Sequence, residues 1–314
     1  MQARKVTSKQ MATSLESRGN AAALERAGST VVTVGTYDGV HLGHRRLIEV
    51  ACDEATRRGL RVVVVTFDRL PTSVLRPKDP PRLLTGLDHK LELLGSTGVD
   101  DIVVLRFDLE RAAESAEDFV SSVLVGELKA QVVVIGENFR FGHKHRGDVA
   151  FLERAGKRLG FATIGVGLVT DEETHEVISA TRIRSLVEAA SLEQAAQLLG
   201  RPHELRGSIE ESADDVTGEV GVLLDADLCL PPAGTYDATV VLAKQCVIET
   251  TVRVPVGAKA DRSREETFVA VDLADPKIFL SKEHTSGARI ALQLHSVARG
   301  HAPHLATTPC DDAR

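Results

Sequence analysis

The stretch Gly35-Thr36-Tyr37-Asp38-Gly39-Val40-His41-Leu42-Gly43-His44 holds two histidines three residues apart, with glycines and an aspartate around them. Glycines let the main chain turn tightly and come close to a ligand. A strand-like run precedes the stretch and a helical pattern follows it. Gly35, Tyr37, Asp38, Gly39 and Gly43 therefore fall at a helix N-terminus, where free N–H groups and the positive dipole end attract phosphate. His41 and His44, at i and i+3 of the first turn, share a face and would aim ring nitrogens at one anion. An isolated H-x-x-H pair reads as two exposed histidines on a turn; beside these glycines and Asp38 it reads as a catalytic nucleotide-phosphate site. A zinc site would need a third Cys, His or Glu ligand at suitable spacing, and the neighbourhood supplies none.

Two further stretches carry polar chemistry. Ile178 to Arg184 opens another helical pattern with hydroxyls and then arginines. Ser179 or Thr181 can simply cap that helix. Arg182 and Arg184 add cations to the same helix start, the combination expected around a triphosphate. Ser179, Thr181 and Arg184 thus join the nucleotide-binding candidates, and Arg182 the catalytic ones. In the stretch Gly136 to Asp148, Asn138 offers donors and an acceptor to the edge of a ring system, whereas Phe139 and Phe141 suit ligand or core equally. The run His143-Lys144-His145-Arg146 reads as solvated loop.

The elements that must position these residues follow from periodicity. Short β-branched runs at 30–35, 61–67, 101–107, 131–136 and 162–169 read as strands buried on both faces. Between them, Leu47, Ile48, Ala51 and Ala55, then Leu87, Leu91 and Leu94, then Phe119, Val120, Val123 and Leu124 have helical spacing. Strand and helix alternate, so right-handed crossovers would build a doubly wound parallel sheet, an α/β fold of Rossmann-like type. Ligands bind beyond the carboxyl ends of such strands, which is where Asp38, Asp68, Asn138 and Arg140 fall. A last helix spans Thr181 to Leu199 and ends at Gly200 and Pro202. Beyond residue 203 the pattern becomes period-two alternation, a small antiparallel β domain built as sandwich or barrel. The organisation expected is a flexible tail over 1–28, a nucleotide domain over 29–202 and the β domain over 203–314.

The chain has 314 residues, 43% hydrophobic and 26% charged, room for two cores. With 38 basic against 45 acidic residues it carries −7, which removes the broad attraction used by non-specific nucleic-acid binders. The four cysteines, Cys52, Cys229, Cys246 and Cys310, have no metal-ligand spacing and read as reduced thiols of a cytoplasmic protein. The basic N-terminal segment lacks an apolar core, so neither a secretory signal nor a membrane span is expected there.

With "GTYDGVHLGH", "TFDRLP", "GENFRFG", "ISATRIR" and "LLGRPHELRG" in this order, the chain resembles the prokaryotic bifunctional riboflavin kinase/FAD synthetase family over residues 30 to about 207. The resemblance implies a nucleotidyltransferase that joins ATP and FMN into FAD and pyrophosphate with Mg²⁺. His41 and His44 would stabilise the attacked phosphate, "ISATRIR" would hold the leaving phosphates, and Asn138, with Asp68 and Arg140, would meet the flavin nucleotide. The family's Phe-Asp-Pro-His-Pro loop reads Phe67-Asp68-Arg69-Leu70-Pro71 here, Tyr37 stands where Phe is usual, and a usual Gly-Asp pair reads Ala190-Ser191. The kinase half departs further. Its Pro-Thr-Ala-Asn slot, which binds Mg-ATP in the family, reads Leu224-Asp225-Ala226-Asp227 beside an acidic loop over 210–219, and Ala270 falls where the catalytic glutamate is expected. The resemblance implies a riboflavin-kinase-like barrel without kinase activity.

A phosphate monoester, with a second pKa near ~6, is mostly dianionic at neutral pH and attacks phosphorus without a general base. Catalysis then rests on positive charge at the α-phosphate and leaving group, expected from His41, His44, Arg182 and Mg²⁺. Two other functions fit the same motifs: nucleotidyl transfer, including from CTP, to a different phosphorylated acceptor, and non-catalytic flavin or nucleotide binding.

Overall fold

The computed structural model describes residues 4–7, 29–210, 219–242, 247–255, 266–272 and 288–298. The chain divides into two compact units, Met1–Pro81 with Leu87–Ile178, and Arg82–Gly86 with Ser179–Arg314.

The first unit holds a parallel sheet of six strands: β1 (Arg4–Thr7), β2 (Thr30–Val34), β3 (Arg61–Phe67), β4 (Asp101–Leu105), β5 (Ala130–Gly136) and β6 (Ala162–Val166), in the order β1-β4-β3-β2-β5-β6. The chain winds outward from β2 through β3 to β4, then returns to β5 on the other side of β2 and continues to β6. The winding therefore reverses between β2 and β5, and their carboxyl ends splay into the crevice where doubly wound sheets bind ligands. Burial of β2 and β4 along their whole length reflects helices on both faces. On one face Val32, Val34, Val63, Val65, Val133 and Ile135 pack with Phe119, Leu124 and Leu152. On the other, Val31, Val62, Val64 and Val134 pack with Ile48, Ala51, Leu91 and Leu94.

The runs read as strands are strands, though β6, at the sheet edge, is only partly buried and not covered on both faces. The apolar spacings between them are helices Leu42–Arg58 and Leu87–Gly95 and the short Ala116–Phe119, which continues as a π-helix over Val120–Glu127. The N-terminal segment differs from the expected tail. Arg4–Thr7 pairs in parallel with β4, covering a strand edge that would otherwise present unpaired N–H and C=O groups. Residues 1–3 and 8–28 of that segment lie outside the described residues.

The second unit contains a closed barrel of six antiparallel strands, β7 (His203–Glu210), β8 (Glu219–Asp225), β9 (Gly234–Leu242), β10 (Val247–Val254), β11 (Glu266–Asp272) and β12 (Arg289–Val297), in the order β10-β11-β8-β7-β12-β9 with β9 closing on β10. The single last helix expected over 181–199 is two helices, Ala180–Glu188 and Leu192–Leu199. Ala190, at φ 58, breaks them apart, and Ser191 N donates to Leu186 O at 2.9 Å across the break. The second of these helices packs on β7 and β12, so this region clusters with the barrel and the division falls at Ile178/Ser179, earlier than residue 202. Arg82–Gly86 also belongs to this unit: Leu83 N donates to Asp227 O, and Cys229 N to Leu83 O, each at 2.7 Å. His203 is a satisfied core histidine, its Nε2 2.9 Å from Cys229 O, and burial pushes its pKa down to about 4.

Candidate functional site

The chain leaves β2 through a contorted turn. Tyr37 (φ 51), Gly39 (φ 75) and Val40 (φ 40) all lie in the left-handed region, with Val40 N donating to Tyr37 O at 3.2 Å. For a tyrosine and a β-branched valine such backbone costs on the order of 1–3 kcal/mol each, so the surroundings must hold it. They do so through the Tyr37 ring, which is fully buried and shares a 2.7 Å hydrogen bond between its hydroxyl and Thr33 Oγ1. Burial raises the Tyr37 pKa, so it stays a neutral phenol. Among the nucleotide-binding candidates, Tyr37 thus presents core packing, its ring in an edge contact with that of His44 at 5.1 Å between centroids. A Cβ at Gly35 would come within 3.1 Å of that ring, so Gly35 makes room for Tyr37.

His41 ends the turn as the N-cap of helix Leu42–Arg58, its Nδ1 accepting from His44 N at 3.4 Å. The two imidazoles stack, with centroids 3.7 Å apart and planes inclined by 20°. Gly43 is needed between them, since a Cβ there would lie 3.2 Å from the His41 ring. Burial first, then the charges of His41 and Lys90, hold the His44 pKa well below the ordinary histidine value. Both rings were expected to contribute positive charge; this environment instead keeps His44 a neutral hydrogen-bonding imidazole at neutral pH. Its Nδ1 is buried and has no hydrogen-bond partner among the described residues.

Asp38, in the short turn Asp38–Val40, is only 2% exposed. Asp68 follows β3, and its carboxylate accepts from Phe107 N at 2.8 Å and pairs with Arg69 at 3.2 Å, so it braces the β3 and β4 ends. Asn138 and Arg140 follow β5 and are exposed, with Arg140 Nη1 donating to Phe139 O at 2.9 Å. Phe139 and Phe141 stack at 5.5 Å and pack against the core beneath β5. Leu70, in place of the family's histidine, is buried and precedes the short helix Pro71–Leu75. The candidates Gly35 to His44, Asp68, Asn138 and Arg140 are therefore gathered by the carboxyl ends of β2, β3 and β5 in one unit.

Ser179, Thr181, Arg182 and Arg184 belong to the second unit. Ser179 caps helix Ala180–Glu188, its side chain accepting from Arg182 N at 3.3 Å, so the capping alternative is realised. Thr181 is exposed, and Arg184 Nη2 lies 3.4 Å from its hydroxyl.

One polar residue escaped the motif reading. Lys90, on helix Leu87–Gly95, is 6% exposed and donates from Nζ to Phe67 O at 2.7 Å and Thr36 O at 3.3 Å. Its signal was a lysine inside the apolar stripe of Leu87, Leu91 and Leu94. Among the described residues no group of three or more His, Cys, Asp or Glu side chains is arranged to hold a metal ion. Among them, too, no helix is long and apolar enough to cross a membrane.

The sequence model of the FAD synthetase family matches residues 24–182, about half of the chain. The bifunctional riboflavin kinase/FMN adenylyltransferase of Escherichia coli (strain K12) is 35% identical over 179 residues, 57% of this chain and 56% of that protein. The protein of the same description from Haemophilus influenzae is 32% identical over 182 residues, 57% of each. The match thus spans a little over half the length of these curated relatives. Among solved structures, the macrolide-efflux protein from Streptococcus pneumoniae is similar with a TM-score of 0.73 and 24% identity, covering 89% of this chain and 90% of that one, a likeness of fold.

Proposed function

The chain belongs to the FAD synthetase family, and on that premise we propose that it transfers the adenylyl group of ATP to FMN, forming FAD and pyrophosphate. The observation that supports this most is the stacked His41–His44 pair, 3.7 Å apart at a helix start beside the β2/β5 switch point. An oxygen of the FMN phosphate attacks the α-phosphorus of ATP. The bond from that phosphorus to the β-bridging oxygen breaks, and its electron pair leaves with pyrophosphate. No proton needs to be removed from a dianionic phosphate, so the site's task is to receive charge that grows on the α-phosphate and the leaving oxygen.

When the His41 ring is neutral, an accepting Nδ1 leaves its proton on Nε2, the nitrogen read as donating to phosphate. His44 works as a neutral donor alongside the free N–H groups of the helix start. Mg²⁺ would enter with ATP as part of the substrate; among the described residues no group of three or more His, Cys, Asp or Glu side chains is arranged to hold a metal ion. The segment Ser179 to Arg184 keeps the role that its motif implies, an anion-holding helix start with Thr181, Arg182 and Arg184 as its polar groups. Asp68, Asn138 and Arg140 are read as facing the acceptor, and the barrel as lacking kinase activity.

Leu70, an apolar buried side chain where a histidine is usual, favours a second reading in which the acceptor is another phosphorylated compound. The deciding experiment incubates the protein with Mg-ATP or Mg-CTP and a panel of phosphorylated acceptors including FMN, with products identified by mass. FAD is the expected product. A different adduct formed in preference would transfer the assignment to the second reading, and no adduct at all would leave a binding module.

A further inference from the structure

A buried ammonium is stable only when its donors and its charge are both matched. Lys90 satisfies this at the point where two strands hand over to site loops. Its acceptors, Thr36 O and Phe67 O, belong to the residues just before Tyr37-Asp38 and Asp68. Thr66 Oγ1 also donates to Thr36 O at 3.1 Å, and Asp68 N donates to Leu105 O at 3.0 Å, so the ends of β2, β3 and β4 are laced together around the lysine. Asp38 and Asp68 both favour the charged form of Lys90, while burial opposes it more strongly and pushes the pKa down to about 8. The charge of Lys90 adds to that of Arg69, 3.2 Å from Asp68, in offsetting carboxylates in a site for polyanions.

We propose that Lys90 is a positioning residue for adenylyl transfer: its ammonium clasps the main chain at the ends of β2 and β3, offsets Asp38 and Asp68, and thereby keeps the turn that carries His41 and His44 in register. This deepens the adenylyl-transfer reading and rests on it. Lys90 acts through the main chain and through charge; the groups that bear on His44 include the His41 ring, the Tyr37 ring and Lys90 itself.

The test uses Lys90→Met and Lys90→Arg in the full chain with two readouts. In steady-state FAD formation, Lys90→Met lowers kcat on the order of 10- to 100-fold, the scale of a misplaced catalytic group, with a smaller change in KM for ATP. In an NMR titration without substrates, the His44 ring of Lys90→Met titrates at higher pH than in wild type, because a positive neighbour has gone. Lys90→Arg retains the charge, keeps the His44 titration near wild type and recovers part of kcat. A Lys90→Met protein with wild-type kcat, or with an unmoved His44 titration, overturns the proposal. If Lys90→Met does not fold, wild-type protein carries the test: the amides of Asp38 and Asp68 and the His44 ring should shift together as Lys90 loses its proton near pH 8. Flat resonances there would also overturn it. A wild-type chain that makes no FAD removes the functional reading, whereas the NMR outcomes judge Lys90 by themselves.

Discussion

Two imidazoles stacked at 3.7 Å lie close enough for a charge on His41 to disfavour one on His44. Donation from these rings should therefore matter most when negative charge develops on the phosphate. His41→Ala and His44→Ala are each expected to lower kcat by about 100- to 1000-fold, with a smaller effect on ATP affinity. Kinetics combined with direct nucleotide binding check this; a loss confined to affinity would contradict it. Lys90 gives a separate prediction for stability. Its pKa falls from an ordinary 10.5 to about 8 on folding, so between those values the unfolded chain holds a proton that the folded chain has released. Stability must then rise with pH across that window. Urea unfolding of wild type and Lys90→Met, compared below pH 8 and toward 10.5, should show the difference shifting in favour of wild type as pH rises. The histidines were legible because their spacing and glycines have a direct chemical meaning. Lys90 was not, since its acceptors are main-chain carbonyls that only the assembled sheet brings beside it. The neutrality of His44 was hidden for the same reason: burial and neighbouring charge are tertiary facts.

Among the elements, the buried strands were legible because Val and Ile runs of strand length between turn residues leave little alternative in an α/β chain. Breaks were harder to see. Ala180–Glu188 and Leu192–Leu199 share one continuous apolar pattern, and nothing about an alanine marks position 190 as left-handed. The family's usual glycine there is the signal that points to it. An alanine at φ 58 bears a left-handed cost of about 1–2 kcal/mol, partly offset by the lower entropy of its unfolded state. Ala190→Gly should therefore stabilise the protein by about 0.5–1 kcal/mol, read as a higher midpoint in chemical or thermal unfolding. A lowered midpoint would mean that unfolded-state entropy outweighs the local strain. Edge strand β1 was equally hidden, because a four-residue segment in a polar stretch has no periodicity to read and acquires its structure only from the open edge of β4.

At the scale of the molecule, the second unit keeps a closed six-stranded barrel, whose side chains support the proposal that it does not phosphorylate riboflavin. A flavin hydroxyl, unlike a phosphate, needs help in losing its proton as it attacks. Ala270, which the resemblance would put in the place of the family's catalytic glutamate, is buried on β11 opposite Gly221, and its side chain carries no acceptor. Asp225 and Asp227, in the slot associated with Mg-ATP, are exposed and engaged locally: Asp225 Oδ1 accepts from Asp227 N at 2.9 Å, and Arg82 lies 4.0 Å from Asp227 while donating to Ala226 O. The acidic loop residues 211–218 lie outside the described residues. Either carboxylate can ligand Mg²⁺, so metal binding by itself would not restore the reaction. The full chain, given riboflavin and Mg-ATP, is expected to form no FMN, while the same preparation given FMN forms FAD. Sustained FMN formation that is lost in an Asp225→Ala or Asp227→Ala variant would place a working kinase centre on this turn, and Ala270 would then not be the residue aligned with the glutamate.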